Sequence, residues 1–341
     1  MTKSVKLADI AQKVGVSVVT VSKALSDQKG VSEEMRERIK KLAEEMGYRP
    51  PSAVKKESAK PRSYNIGVLI EEEYLDNYES FYWKIYQQIS IYALQQECFA
   101  MMEVVSGSME EQMELPKLVR ERKAHGIIVL GRMPDRYLKL LKEDESVPVV
   151  YIDFTDDDPD TDAVVSDSYY GACRLVNYLI GQGHTRIAYV GTLLATSSIT
   201  DRYFGYAKAL MEHDIPQRED WRLDDRHVSS GFIQEGLMQI PEEMPTAFFC
   251  NCDLTAGKLI QKLRQGGYQV PEDISVVGFD NYIYPGVCDL GITTYEVDQA
   301  EMAAQAVKIL IKRMGNEVDR PRTYMVEGRI VVKDSVKKIE S

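Results

Sequence analysis

LADIAQKVGVSVVTVSKAL, residues 7 to 25, carries two short apolar stripes separated by a glycine. Leu7, Ile10, Ala11 and Val14 recur at helical spacing and define one buried face. Gly15 follows where a helix end favours a residue tolerant of positive φ. Ser17 is suited to N-cap a second helix, Val18 to Leu25, whose inward residues are Val21, Ala24 and Leu25. Downstream, Ser32 opens a third stripe of Met35, Ile39, Leu42, Ala43 and Met46. Gly47 stops it, and Pro50 and Pro51 prevent its resumption. Two short helices joined at a glycine turn and braced by a third form a helix-turn-helix, whose second helix enters the major groove. Its outward residues are Val18, Val19, Ser22 and Lys23. Valines suit thymine methyl groups and a lysine reaches guanine O6 and N7. Ser17, Thr20 and Ser22 can bond phosphates, which sets register without reading sequence. A generic three-helix bundle with Ser and Thr as caps would show the same stripes.

Charge supports the DNA reading. Residues 1 to 63 hold 14 Lys/Arg and 8 Asp/Glu, whereas residues 64 to 341 hold 28 and 45. A basic head on an acidic body implies that the head meets a polyanion and the body does not. The 341-residue length suggests two or three folded units, and 44% hydrophobic with 28% charged content is that of a globular protein. Wholesale disorder, collagen and disulfide scaffolds are excluded. No apolar run approaches the roughly 18 residues of a membrane span, and MTKSVKLADIAQ has no signal-peptide core. Five cysteines without framework spacing fit a reducing cytoplasm.

The run Leu7 to Leu25, with Val31-Ser32 and Gly47-Tyr48-Arg49-Pro50, resembles the N-terminal signature of the lac/gal repressor family. That resemblance implies a bacterial transcription regulator, a repressor, that binds a pseudo-palindromic operator as a homodimer and responds to a small effector. It places Val18, Val19 and Lys23 at base-reading positions and adds Leu7, Ser26 and Val31 to the DNA-facing set; Ser26 stands where the family often has Asn. Residues 49 to 63 are polar, basic and proline-bounded, as a hinge should be, and Lys55, Lys56, Lys60 and Arg62 suit phosphates. In the family a Leu from this hinge wedges into the minor groove. Glu57 occupies that position here, so either Val54 or Ala53 substitutes in a slipped register or the DNA is bent less.

The body alternates strand and helix. Strand-like runs at 64–70, 99–105, 126–130 and 147–152 are separated by helical patterns near 80–97, 109–123 and 135–142. A second series has strands at 163–166, 186–190, 247–250 and 274–279, with helices near 169–181, 201–213, 230–240 and 254–265. Such a rhythm means parallel sheets covered on both faces. Two lobes imply a cleft beyond the C-terminal strand ends. Segments 292–295 and 324–332 are expected to cross between lobes. The whole is similar to the type I periplasmic-binding-protein fold, the family's effector domain. The expected organisation is an all-α head at 1–48, a hinge at 49–63 and an α/β body at 64–341. One lobe takes 64–162 plus 293–322, and the other 163–292 plus 323–341.

By the same resemblance the effector pocket takes Glu71, Tyr82, Asp153, Arg202, Asn251 and Asp280. Phe81-Tyr82 matches a Phe-Phe pair, Asp201 to Tyr206 an Arg-x-x-Gly-Phe segment, and Phe249 to Asp253 a Phe-x-x-Asn-Asp motif in which Cys252 replaces Asp. Val277 to Asn281 matches Gly-Phe-Asp-Asp/Asn, and Ile292-Thr293-Thr294 the Leu-Thr-Thr crossover. Carboxylates accept from hydroxyls, Arg donates, Asn does both and aromatic rings cover a sugar's apolar face, so a sugar-like effector and a carbohydrate-use operon are expected. The acidic run from Glu71 also suits an amino-substituted ligand. A non-sugar metabolite, a protein corepressor, an α/β enzyme and a transporter's solute-binding protein are the competing readings. Against an enzyme, there is no Walker loop and no G-x-S-x-G elbow. His125, His184, His213 and His227 lack metal spacing, and Cys250-x-Cys252 reads as buried packing, so no cofactor or metal is expected. The charged segment 331–341 lacks a heptad of leucines, which favours a dimer over a tetramer.

Overall fold

The computed structural model describes residues 7–25, 30–46, 48, 63–75, 81–156, 158–228, 232–282, 284, 286–316 and 320–339, with Glu44 and Glu45 by backbone alone. Ser26, Lys55, Lys56, Glu57 and the rest of the hinge lie outside the described residues. The chain divides into two compact units, residues 1–62 and 63–341.

The first unit holds α1 (Leu7–Val14), α2 (Val18–Leu25) and α3 (Glu33–Glu45). Ile10, Ala11, Val21, Ala24, Ile39 and Ala43 are its buried centre, one or two contributed per turn of each helix. Gly15 has φ +79°, the left-handed geometry that ends α1 and lets the chain turn at once into α2. The Ser17 hydroxyl accepts from the Thr20 amide at 3.1 Å, an N-cap that orients α2.

The second unit has two six-stranded sheets. The first orders β11 (Thr323–Val326), β5 (Asp162–Ser166), β4 (Val149–Ile152), β3 (Gly126–Leu130), β1 (Asn65–Glu71) and β2 (Phe99–Val105), all parallel. The second orders β12 (Arg329–Val331), β10 (Thr293–Glu296), β9 (Ser275–Asp280), β8 (Ala247–Cys250), β6 (Ile187–Val190) and β7 (Arg222–Leu223). Among the described residues only its β10–β12 pair is antiparallel. The helices are α4 (Phe81–Gln95), α5 (Gly107–Glu111), α6 (Lys117–Arg120), α7 (Asp135–Leu141), α8 (Ser168–Gly181), α9 (Ser197–Glu212), α10 (Asp253–Gln265) and α11 (Gln299–Met314). One core runs continuously through both lobes, from Ile85, Ile89 and Leu310 to Leu175, Tyr206 and Phe279. Each lobe adds a core of its own on the opposite face of its sheet.

Several expectations are corrected. The lobes exchange chain at three short steps, through Asp167 after β5, Val297-Asp298 after β10 and Glu327-Gly328 after β11. Residues 163–166 and 323–326 therefore belong to the first lobe, and 293–296 to the second. Pairing decides this: β5 completes the first sheet beside β4 and β11, and β10 lies against β9. The helix expected over 109–123 is two short pieces, because Met113 takes φ +54° and Pro116, lacking an amide hydrogen, opens α6. In place of a helix at 230–240 the described residues show one 3-10 turn, Glu235–Leu237, with Gly236 at its centre. Helix α11, absent from the sequence reading, is announced by Asp298, whose carboxylate accepts from the Glu301 amide at 2.9 Å.

Candidate functional site

In the head, the α2 face away from the core presents Val18 at 45% and Val19 at 63% exposure, with Ser22 and Lys23 also exposed. Two adjacent exposed valines beside a lysine on a short capped helix form a surface suited to base edges. Ser17 is exposed, but its hydroxyl is engaged by Thr20, whose own Oγ1 lies 2.8 Å away. Their first role is to set the helix start. Leu7 and Val31 are half-buried against the head's core, so packing takes most of each side chain.

In the body, the C-terminal ends of β4, β8 and β9 and the starts of α4 and α9 surround a cleft of about 160 Å³. Tyr82, Asp153, Arg202, Asn251 and Asp280 all line it, brought together from five distant segments. Arg202 is its centre. Nη2 lies 3.0 Å from Asp280 Oδ1, Nη1 donates to the Asn251 carbonyl at 2.6 Å, and Nε donates to Ser168 Oγ at 3.3 Å. Its guanidinium also covers the Phe279 ring at 3.9 Å. The Tyr82 hydroxyl donates to Asp153 Oδ2 at 2.8 Å. Asp153 and Asp280 have φ of +71° and +99°, left-handed geometry that costs a non-glycine residue about 1–3 kcal/mol and concentrates at ligand sites.

Burial dominates the electrostatics. It pushes the Asp153 carboxyl up to about 6, against the pull of Arg202 and of the Tyr82 hydrogen bond. Asp280 is likewise raised by burial, with Arg202 opposing. Tyr82 is raised by burial and by Asp153, which keeps its phenol a donor. Asp225 goes the other way. Burial would raise it, but Arg226, Thr255 and Asn251 hold it down at about 2.

Two expected ligand groups are placed differently. Strand alternation turns Glu71, with Leu69, toward α5–α7, where it meets Glu110 rather than the cleft. Burial and the facing Glu110 carboxyl push Glu71 up to about 8. Glu73 and Tyr74, on the following 3-10 turn, line the cleft instead. Asn251 borders the cleft, but its amide donates to the Val190 carbonyl at 3.0 Å and to Asp225 Oδ2 at 2.7 Å. It therefore supports the wall. Arg226 went unnoticed in the sequence. It grips Asp225 through Nε at 3.2 Å and Nη2 at 2.9 Å and borders the cleft. Its signal, Asp225-Arg226, follows a two-residue strand too short to read. Cys252 is a cleft residue and the N-cap of α10, while Cys250 is buried packing. Among the described residues no three His, Cys, Asp or Glu side chains gather as a metal would need, and no helix is long and apolar enough to cross a membrane.

Residues 6–51 match the family of bacterial regulatory proteins, lacI family. Residues 176–336 match the periplasmic binding protein-like domain. The chain belongs to the lacI family of bacterial regulatory proteins. This lacI-family member is a DNA-binding regulator of transcription and not an enzyme. It is similar along its length to the HTH-type transcriptional repressor PurR of Aliivibrio salmonicida, 28% identical over 98% of this chain and 99% of the relative. PurR of Vibrio campbellii is 27% identical over the same shares. Among solved structures, a complex of the transcriptional regulator CelR with cellobiose superimposes with a TM-score of 0.70 at 22% identity, covering 97% of this chain and 99% of that one. The lac repressor dimer bound to operator and the anti-inducer ONPF gives 0.66 at 23%, covering 98% and 100%. A lacI-family regulator from Enterococcus faecium with bound ribose gives 0.66 at 20%, covering 81% and 100%. At these identities the structures establish the fold.

Proposed function

We propose that this regulator represses a carbohydrate-use operon in the cytoplasm, and that a small sugar-like effector in the cleft controls its grip on DNA. Residues 1–48 act as the DNA-binding domain, 49–63 as the hinge and the body as the effector and dimerisation domain. Two heads of a homodimer read a pseudo-palindromic operator, with Val18, Val19 and Lys23 against base edges. The observation that carries the effector reading is that Asp153, Arg202 and Asp280 line one cleft together with the aromatic side chains of Phe81, Tyr82, Phe232 and Tyr284. Acceptors, donors and aromatic side chains around one space suit a polyhydroxylated ring. The cellobiose bound to CelR and the ribose bound to the Enterococcus regulator are ligands of that class. Because the cleft lies between lobes joined by three short crossings, a ligand that favours one lobe spacing biases the whole body. Such coupling is typically about 1–3 kcal/mol.

The same aromatic walls favour a second reading, a flat heteroaromatic metabolite stacked between rings. Calorimetry of the full chain with monosaccharides, disaccharides and nucleobases separates the two. Sugar binding that shifts promoter-duplex affinity, and is lost in Arg202→Ala while duplex binding persists, supports the first. Nucleobase binding with no sugar response replaces it.

A further inference from the structure

The ligand's charge class can be read from how the cleft's own charges are matched, given that the cleft is the effector site. Among the described lining residues the cations are Arg202 and Arg226. Both are already committed. Arg202 places Nη2 against Asp280, Nη1 on a carbonyl and Nε on a hydroxyl, with its face on a phenyl ring. Arg226 holds Asp225 through two nitrogens. The carboxylates are more numerous, since Glu73, Asp153 and Asp280 all border the space. Among the described residues Asp153 takes a single hydrogen bond, on Oδ2 from the neutral Tyr82 hydroxyl, and its carboxylate borders the cleft. Asp280 Oδ1 is enclosed against Arg202 Nη2 at 3.0 Å, so this carboxylate is matched within the protein.

An anionic group entering this space meets guanidinium groups with their own carboxylates and faces further carboxylates across a short gap. A group carrying O–H or N–H finds acceptors. We infer that the cleft anchors its ligand through a hydrogen-bond donor, alcohol or ammonium, on Asp153, and excludes phosphorylated and carboxylated ligands. Burial sharpens the selection, because charges in a space shielded from water interact more strongly than at a surface.

The test uses the full chain and matched sets: glucose, glucosamine, glucose 6-phosphate and gluconate, then the equivalent galactose and ribose sets. Thermal shift finds the responding set and calorimetry ranks its members. The neutral or amino member is expected to bind on the order of 100-fold more tightly than its phosphorylated or carboxylated counterpart. If the anchor is ammonium, the amino member binds tightest and loses that advantage in Asp153→Asn. If it is alcohol, neutral and amino members bind alike. A phosphorylated or carboxylated member that binds as tightly as its neutral parent overturns the charge rule and leaves the sugar reading standing. Silence in every set overturns the sugar reading itself, and the charge rule with it.

Discussion

Replacing Arg202 by Ala removes the cation that compensates Asp280 in a site where Arg202 is 4% and Asp280 8% exposed. Breaking one side of a buried pair typically costs about 3–5 kcal/mol, because a charge is left desolvated. The loss also depends on pH. Burial already raises the Asp280 pKa with Arg202 in place, and Arg202 is the first influence opposing it. Without that guanidinium the folded-state value rises further above the unfolded one. A carboxyl with a raised folded pKa favours the native state most below its unfolded pKa, and that favour is lost as pH rises through the folded pKa. The deficit of Arg202→Ala against the parent should therefore be about 3–5 kcal/mol at pH 8 and clearly smaller at pH 5. Arg202→Met with Asp280→Asn removes both charges and should recover much of the loss at pH 8. Trp83 and Trp221 both lie in the body, so urea unfolding followed by tryptophan fluorescence reports this unit without interference from the head. A deficit below about 1 kcal/mol at both pH values, or one unchanged by pH, would refute the view of Asp280 as a charge held by Arg202.

Glu110→Gln probes the other carboxyl pair. Glu71 is raised to about 8 by burial and by Glu110, so its favourable protonated contribution disappears as pH climbs through that value. The variant's urea midpoint should gain on the parent between pH 6 and pH 9; a constant difference contradicts the pairing. Gly205→Ala puts a Cβ 2.1 Å from the Tyr169 carbonyl oxygen, where α9 crosses α8, and should cost about 1–3 kcal/mol by overpacking in the same assay. Lys23→Ala should relax preference at one base pair per half-site by about 1–3 kcal/mol in selection from a randomised operator library. Unchanged preference would remove Lys23 from the reading set.

The head was legible because its signals are local. Gly15 and Ser17 define a turn and a cap by themselves, and the stripe Val21, Ala24 and Leu25 fits a single helix. The strand rhythm of the body was legible for the same reason, since buried parallel strands are short apolar runs. Lobe membership was not, because β5, β10 and β11 are placed by pairing with strands distant in sequence, and no residue within them announces the partner. The cleft divides similarly. Asp153 and Asp280 sit at strand ends and Arg202 in the second turn of α9, and all three could be located by motif. Glu71 fell on the wrong face because a strand end gives no clue to which residue turns into the cleft. Asn251 reads as a ligand group by motif, but Asp225, two residues beyond the short strand β7, takes its amide. Helix α11 was overlooked although its Asp298 cap and its stripe Met302, Ala306 and Leu310 follow the ordinary rules.

The most direct test of the central claim is anisotropy of a labelled promoter duplex titrated with the full chain, at low ionic strength, with and without a saturating metabolite shown by calorimetry to bind the cleft. The predicted result is specific duplex binding whose affinity changes about 5- to 150-fold when the cleft is filled, with no change in Arg202→Ala. Identical duplex affinity with the cleft empty and full would contradict it.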